Sequence, residues 1–168
     1  MNKKGFTLVE LLAVIAILAI LVIIALPNVL GMFNNAKKST FNTETQNIFK
    51  QAQTDFVQDS ITAAGAQIYC QDNSYATLCP KDSDGKKIGK ALNLESTKAY
   101  YVAVTANGTI TNIVVVDGSF AYGNKNTAGI KVTDIKENDA KDIDSQKGKL
   151  TGDTFDVTNY TTVTVDED

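Results

Sequence analysis

The feature that most constrains this chain is a single carboxylate at the edge of a long apolar run. Glu10 is followed by sixteen residues without a polar side chain, Leu11 to Leu26. A charge that stays ionised near the middle of a bilayer costs about 2.5–3.5 kcal/mol on insertion scales, so such residues usually have a partner and a function. The sequence therefore predicts a membrane-spanning helix whose glutamate has a specific partner.

The length of the apolar segment fits one membrane crossing. The 21 residues from Phe6 to Leu26 span about 31 Å as a helix, which matches the hydrocarbon thickness of a bilayer. A secretory signal has a shorter apolar core followed by a small-residue cleavage site, a pattern that this segment does not match. A plain single-pass anchor would explain the length but not Glu10.

The residues before the apolar run add a second signal. Residues 3–10 read Lys-Lys-Gly-Phe-Thr-Leu-Val-Glu, which resembles the class III signal of type IV prepilins in the spacing of its glycine, aromatic residue and glutamate. The resemblance implies that a prepilin peptidase/methyltransferase cuts after Gly5 and methylates the new amino group of Phe6. It also implies an assembly role for Glu10, whose carboxylate would meet the amino terminus of a neighbouring subunit.

Charge considerations agree with that assembly role. Cleavage would create a free amine on Phe6, which is mostly cationic at neutral pH. Phe6 and Glu10 are four residues apart, so a pair within one subunit is also sterically feasible. An ion pair between subunits would neutralise both charges in an apolar filament core and fix the axial register.

Composition limits the remaining chemistry. The chain has 168 residues, with 16 lysines and neither arginine nor histidine, so histidine-based acid–base and metal chemistry is excluded. Loss of a leader that contains Lys3 and Lys4 changes the formal net charge from −3 to −5, a balance that disfavours direct nucleic-acid binding. The two leader lysines also fit a cytoplasmic amino terminus.

Beyond the apolar run, the pattern predicts an amphipathic continuation of the helix. Pro27 has no backbone N–H to donate within the helix. We therefore predict a kink or local melting of the helix at that point. Apolar residues then recur at helical spacing and form a stripe suited to packing on a sheet. The stripe consists of Phe41, Ile48, Ala52 and Phe56.

Two turn signals predict an antiparallel meander after the helix. Asn107-Gly108 separates two β-prone stretches, 99–106 and 109–116, and is typical of a type I′ hairpin turn, because both residues tolerate positive φ. The resulting pairs are Val104 with Thr111, Val102 with Ile113, and Tyr100 with Val115. A second turn at Asp117-Gly118 pairs Val115 with Phe120 and Ile113 with Tyr122.

Both turns place apolar side chains on one face of the meander. That face contains Tyr100, Val102, Val104, Ile113, Val115, Phe120 and Tyr122. We therefore predict an α+β fold in which a long amino-terminal helix packs on this sheet. Residues 130–135 are predicted as a short strand and residues 154–165 as a last strand.

Cys70 and Cys79 are the only two cysteines. Outside a cell they would close a ten-residue loop, which is worth about 2–3 kcal/mol in the chain-entropy model. Buried free thiols are the alternative. A redox pair or half of a metal site is disfavoured by the spacing of the cysteines and by the lack of histidine.

Two weaker motifs have simpler interpretations. Residues 82–85 read Asp-Ser-Asp-Gly, like the start of a calcium loop, but the following lysines and Asn93 occupy positions where a glycine and ligands belong. Residues 107–109 and 159–161 match the N-glycosylation pattern. No nucleophile–base pair, phosphate-binding loop or metal cluster is evident, so the sequence predicts neither an enzyme nor a cofactor.

The function implied by the resemblance is a structural subunit, and the intact Glu10 favours a main filament component. Such a protein has a removed leader over 1–5, a long helix over 6–58 with its membrane-spanning half at 6–26, and a globular head over 59–168. It begins as a single-pass precursor in the cytoplasmic membrane. It then polymerises, with the pilus assembly machinery and minor pilins, into an extracellular helical filament for adhesion, motility or aggregation.

Two alternatives to a pilus subunit stay open. A pseudopilin of a type II secretion or competence system shares the whole amino-terminal signature. A membrane-anchored surface adhesin that never polymerises would use the same helix only as an anchor.

Overall fold

One long helix and an antiparallel sheet form the described part of the chain. The computed structural model describes residues 7–62, 64–136 and 139–142. Helix α1 is followed by five strands, with a 3₁₀ helix at Val132–Asp134 before the last of them. The elements are α1 (Leu8–Asp59), β1 (Gln67–Gln71), β2 (Ala99–Val104), β3 (Ile110–Val116), β4 (Phe120–Lys125) and β5 (Lys141–Asp142). This is the predicted α+β arrangement of a long helix on an antiparallel sheet.

The chain divides into two compact units, Met1–Lys37 and Lys38–Asp168. In the first unit, every described residue is exposed. The helix there is built mainly from leucine, isoleucine, valine and alanine, and it continues through Pro27. The weakening predicted at Pro27 remains a prediction.

The second unit, which we call the head, contains the sheet. Its strands follow the chain in the order β1-β2-β3-β4-β5, and each neighbouring pair is antiparallel. Because every connection joins adjacent strands, the sheet is the predicted meander, extended by β1 on one side and by the two-residue β5 on the other.

The first hairpin confirms most of the predicted register and corrects its turn. Tyr100 pairs with Val115 as predicted, and Val102 with Ile113, but Val104 lies opposite Ile110 across a bulge. In the turn itself, only Gly108 has a positive φ, of 82°. A type I′ turn also needs positive φ at the residue before the glycine. That requirement is not met, so the predicted type I′ turn is wrong.

The second turn lies one residue further along the chain than predicted. The Asp117 carboxylate accepts hydrogen bonds from the backbone N–H groups of Ser119 and Phe120, both at 2.7 Å. These bonds place Gly118 and Ser119 at the centre of the turn, so Val115 pairs with Tyr122 instead of Phe120. The register changes by two residues, which keeps every side chain on its predicted face.

The core of the head lies between the helix and the predicted face of the sheet. All four residues of the predicted helix stripe are buried there, together with Phe49. They pack against all seven residues of the predicted sheet face. The rings of Phe41 and Phe120 lie with their centroids 5.6 Å apart. The predicted amphipathic pattern is therefore confirmed on both elements.

The opposite face of the sheet is also buried, mainly under the chain that connects β1 to β2. Leu78 and Cys79 of that connection join Tyr101, Val114 and Val116 in a second apolar cluster. This second layer was not predicted from the sequence.

The segment after β4 differs from its prediction. Residues 130–135, predicted as a short strand, contain the 3₁₀ helix instead. The Gln46 side chain donates a hydrogen bond to the carbonyl of Ile135 at 3.1 Å, which ties this segment to the helix. The last strand predicted over 154–165 and the leader over 1–5 lie outside the described residues.

Candidate functional site at the amino-terminal helix

The carboxylate of Glu10 is held by the residue that precedes its own helix. The backbone N–H and the hydroxyl of Thr7 both donate hydrogen bonds to Oε2 of Glu10, each at 2.8 Å. The backbone N–H of Glu10 approaches the hydroxyl oxygen of Thr7 in return, at 3.3 Å. Because α1 begins at Leu8, Thr7 is the N-cap and Glu10 the third helical residue, which is the geometry of a capping box.

The residues around this capping box are apolar and exposed. From residue 7 to residue 26, Thr7 and Glu10 have the only polar side chains. The helix contains an 18-residue window of mean hydropathy 3.2, none of it buried. It is the one described helix that is long and apolar enough to cross a membrane, by length and composition alone.

The predicted site residues fall partly inside the described structure. Gly5 and Phe6, the proposed cleavage and methylation positions, lie outside the described residues. Glu10 lies in the first turn of α1 and Pro27 within the helix. The bond between Thr7 and Glu10 was not predicted from the sequence, although the pattern Thr-x-x-Glu before an apolar run is the usual signature of a capping box.

Comparison with known proteins yields one match, and it covers this region. A family profile for the prokaryotic N-terminal methylation motif matches residues 1–26. The chain carries the class III signal of type IV pilins and pseudopilins. No curated protein and no solved structure matches the chain.

The class III signal confirms the predicted resemblance over these residues. It indicates a type IV pilin-like or pseudopilin protein, and it implies processing by prepilin peptidase and assembly into pilus-like filaments. Together with the apolar helix, it fits a membrane-anchored precursor.

In the head of this pilin-like chain, Cys70 and Cys79 are disulfide-bonded, with their Cα atoms 5.2 Å apart. The loop that they close is organised around Asp72, which accepts hydrogen bonds from the N–H groups of Leu78 and Cys79 at 2.8 and 2.9 Å. The ammonium of Lys87 lies 2.6 Å from the same carboxylate. Burial alone would raise the pKa of Asp72, but Lys87 and the two amides outweigh it and hold that pKa below its usual value.

A buried lysine forms a second polar cluster in the head, which was also not predicted from the sequence. The ammonium of Lys98 lies 2.6 Å from a carboxylate oxygen of Glu44 on the helix and 2.8 Å from Asp117 in the β3–β4 turn. It also lies 5.1 Å from the centre of the Phe41 ring. Burial alone would lower the pKa of Lys98, but the two carboxylates raise it above its ordinary value. The cluster therefore joins the helix to one end of the sheet.

The remaining motifs in the head have structural explanations. Asp82 accepts hydrogen bonds from the backbone N–H groups of Asp84 and Lys86, at 3.0 and 2.8 Å, so residues 82–86 form an exposed turn. Asn107 of the first glycosylation pattern is exposed and lies in the hairpin turn, whereas residues 159–161 of the second lie outside the described residues. Within the described ranges, no group of three or more potential metal ligands occurs.

Proposed function

We propose that this protein is a main structural subunit of a type IV pilus. In this proposal, prepilin peptidase cuts between Gly5 and Phe6, and the mature chain polymerises through its apolar helix into an extracellular filament. The observation that carries the proposal is Glu10, a carboxylate at the start of an apolar helix segment that is exposed throughout.

The exposed segment needs a partner outside its own chain. A soluble monomer rarely exposes a continuous apolar surface of this length, and large exposed apolar surfaces mark contacts with membranes or other proteins. Lipid would cover the helix of the precursor. In a filament, the same surface would pack against the helices of neighbouring subunits.

Glu10 is the reason to prefer a polymer to a plain anchor. The bonds from Thr7 satisfy one carboxylate oxygen, but no positively charged group among the described residues pairs with the carboxylate. No lysine occurs between Glu10 and Lys37, a distance of about 40 Å along a helix. The amine that cleavage would create on Phe6 is the nearest remaining source of positive charge, and a neighbouring subunit can supply it in an apolar filament core.

The test replaces Glu10 with alanine and with glutamine. Either change removes a charge from the apolar segment, so membrane insertion and cleavage should proceed at least as well as in the wild type. We expect surface filaments, counted by microscopy with an antibody to the head, to fall at least about tenfold, which corresponds to about 1.4 kcal/mol of lost subunit affinity. Glu95→Gln, which neutralises an exposed carboxylate of the head, serves as the matched control and should assemble normally.

The two alternatives give different results in the same experiment. A pseudopilin would show the same dependence on Glu10, but the wild type would form no long surface filament, and its loss would impair secretion or DNA uptake. A non-polymerising adhesin would display its head on the surface at normal or higher levels in both Glu10 variants. Normal filament yield from both variants would overturn the proposal.

A further inference from the structure

The two oxygens of the Glu10 carboxylate have different environments. Oε2 accepts both hydrogen bonds from Thr7, one from the backbone and one from the hydroxyl. Within the described residues, Oε1 accepts no hydrogen bond. One oxygen is thus held by the helix start, while the other receives no donor from the part of the chain that the structure describes.

This arrangement is compatible with the proposed processing. A cut between Gly5 and Phe6 leaves the peptide bond between Phe6 and Thr7 intact, so both Thr7 donors remain in the mature chain. The helix offers no substitute for the hydroxyl, because the next polar side chain after Glu10 is Asn28. Thr7 is therefore the one side chain of the apolar segment that can hold the glutamate by a hydrogen bond.

We propose that Thr7 is a positioning residue for filament assembly. It holds Glu10 through Oε2 and leaves Oε1 to accept the Phe6 amine of a neighbouring subunit. This inference rests on the proposed function and names the residue that prepares the glutamate for it.

The physical reason for such a residue is preorganisation. A glutamate side chain has several rotatable bonds, and holding it in one geometry before binding removes an entropic cost that association would otherwise carry. A hydrogen bond to an ionised group is also stronger than one between neutral groups, especially where water is excluded. Thr7 would thus lower the cost of pairing without contacting the neighbouring subunit itself.

Three substitutions at Thr7 separate this role from ordinary helix capping. Thr7→Val keeps the shape of the side chain but loses the hydroxyl, whereas Thr7→Ser keeps the hydroxyl. Thr7→Gly loses the hydroxyl but remains nearly as good an N-cap as threonine. We expect filament yield to fall by roughly three- to tenfold in the valine and glycine variants and to stay within about twofold of wild type in the serine variant. The measurement is the filament yield per cleaved subunit in cells that express the full-length precursor, with cleavage and methylation read by mass spectrometry.

The Thr7 variants test the positioning role of Thr7, and a parallel variant at Glu10 tests the proposed function. If Thr7→Gly assembles normally while Thr7→Val does not, Thr7 acts only as a helix cap and the inference is wrong. Normal assembly of both variants contradicts it as well. Glu10→Gln is assayed in parallel: if it assembles normally, the proposed function fails, whereas a defect in Glu10→Gln alone would overturn only the role of Thr7.

Discussion

The two units of this chain differ in the exposure of their apolar side chains, which are exposed in the amino-terminal unit and mostly buried in the head. Between Leu8 and Phe33, the large apolar residues are 46 % to 75 % exposed. In the head, the comparable residues of the helix stripe and the sheet face are at most 8 % exposed. The same types of side chain therefore build a closed core in one unit and an open surface in the other. The head satisfies its hydrophobic residues within one chain, whereas the amino-terminal helix needs a bilayer or other subunits.

Charged groups differ between the two units in the same way. In the head, Lys98 is paired with two carboxylates of its own chain, and Asp72 is paired with Lys87. Glu10 receives hydrogen bonds from Thr7, but in the described part of the chain it forms no ion pair. This contrast indicates that changes in the helix should affect processing and assembly, and that changes in the head should affect folding stability.

The largest effect is expected at the proposed cleavage position. Replacing Gly5 with leucine should block processing almost completely, because Gly5 is the residue after which we propose that prepilin peptidase cuts the class III signal. Mass spectrometry of the wild-type surface protein should find a chain that begins at Phe6 and carries one additional methyl group. The Gly5→Leu protein should retain its leader and remain in the membrane.

The Gly5→Leu variant also tests whether the head folds independently of the amino-terminal unit. Its head should be folded as in the wild type, since the change lies far outside the head sequence. All six tyrosines of the chain lie in the head sequence and the chain has no tryptophan, so the near-ultraviolet circular dichroism of the protein in detergent mainly reports the head. A disrupted spectrum in Gly5→Leu would contradict the independence of the two units.

The disulfide should give the largest stability effect in the head. Replacing Cys70 and Cys79 together with serine should lower the free energy of unfolding by about 2–3 kcal/mol, because the cross-link restricts the unfolded chain. Thermal unfolding of the purified protein in detergent, followed by the tyrosine signal, measures the change. Reduction of the wild type should have a similar effect, and peptide mapping without a reductant should recover the two cysteines in one linked fragment. Free thiols in purified filaments would contradict the disulfide.

The sequence predicted those features of the head that depend on local pattern. The predictions of the helix stripe and of the sheet face are confirmed. Both depend on the periodicity of apolar residues, and a strand register that is wrong by two residues leaves each side chain on the same face. The second turn shows this directly: its register was wrong by two residues, and yet Phe120 and Tyr122 kept their face. The turn position is set by the Asp117 carboxylate, which accepts hydrogen bonds from two backbone amides. The pattern of β-prone residues does not reveal these bonds, and so the predicted turn was misplaced.

Two features that join distant parts of the chain were not predicted. The Lys98 cluster links residues 44, 98 and 117, and no short motif connects them. The apolar cluster under the connection between β1 and β2 likewise depends on tertiary contacts. In the helix, by contrast, the missed bond between Thr7 and Glu10 is local, and its signature was present in the sequence. The bond at the candidate site could therefore have been predicted from neighbouring residues, whereas the Lys98 cluster could not.

Lys98 offers a test of the internal pairing that distinguishes the head. Lys98→Met keeps much of the side-chain length but removes the charge, and it leaves two carboxylates facing each other. Its side chain is only 9 % exposed, but those of Asp117 and Glu44 are 23 % and 47 % exposed, so water would partly compensate both carboxylates. We expect the free energy of unfolding to fall by about 2 kcal/mol, measured by chemical denaturation. Lys50→Met, on the exposed face of the same helix, is the control and should change stability by less than about 0.5 kcal/mol.

The smallest effect is expected at a buried polar group of the head, the hydroxyl of Tyr101. The Tyr101 hydroxyl is buried and has no hydrogen-bond partner among the described residues, and burial raises its pKa to about 12. Tyr101→Phe should therefore stabilise the head by about 1 kcal/mol, since it removes a buried polar group that is not hydrogen-bonded. The same tyrosine makes the wild type sensitive to alkali. Because its pKa is higher in the folded state than the ordinary value of 10.0, ionisation of this group leaves the stability of the head unchanged below pH 10 and lowers it as the pH rises toward 12.

Unfolding measured at several pH values from 8 to 12 separates this contribution from that of Lys98. The raised pKa of Lys98 gives a loss in the same alkaline direction, so Tyr101→Phe should flatten the dependence on pH without abolishing it. Tyr75→Phe, in which the changed side chain is 58 % exposed in the wild type, should leave the slope of the wild type intact. If Tyr101→Phe instead destabilised the head, the hydroxyl would have a bonding partner in the folded protein. The second layer of the head would then contain a polar contact that the described residues do not supply.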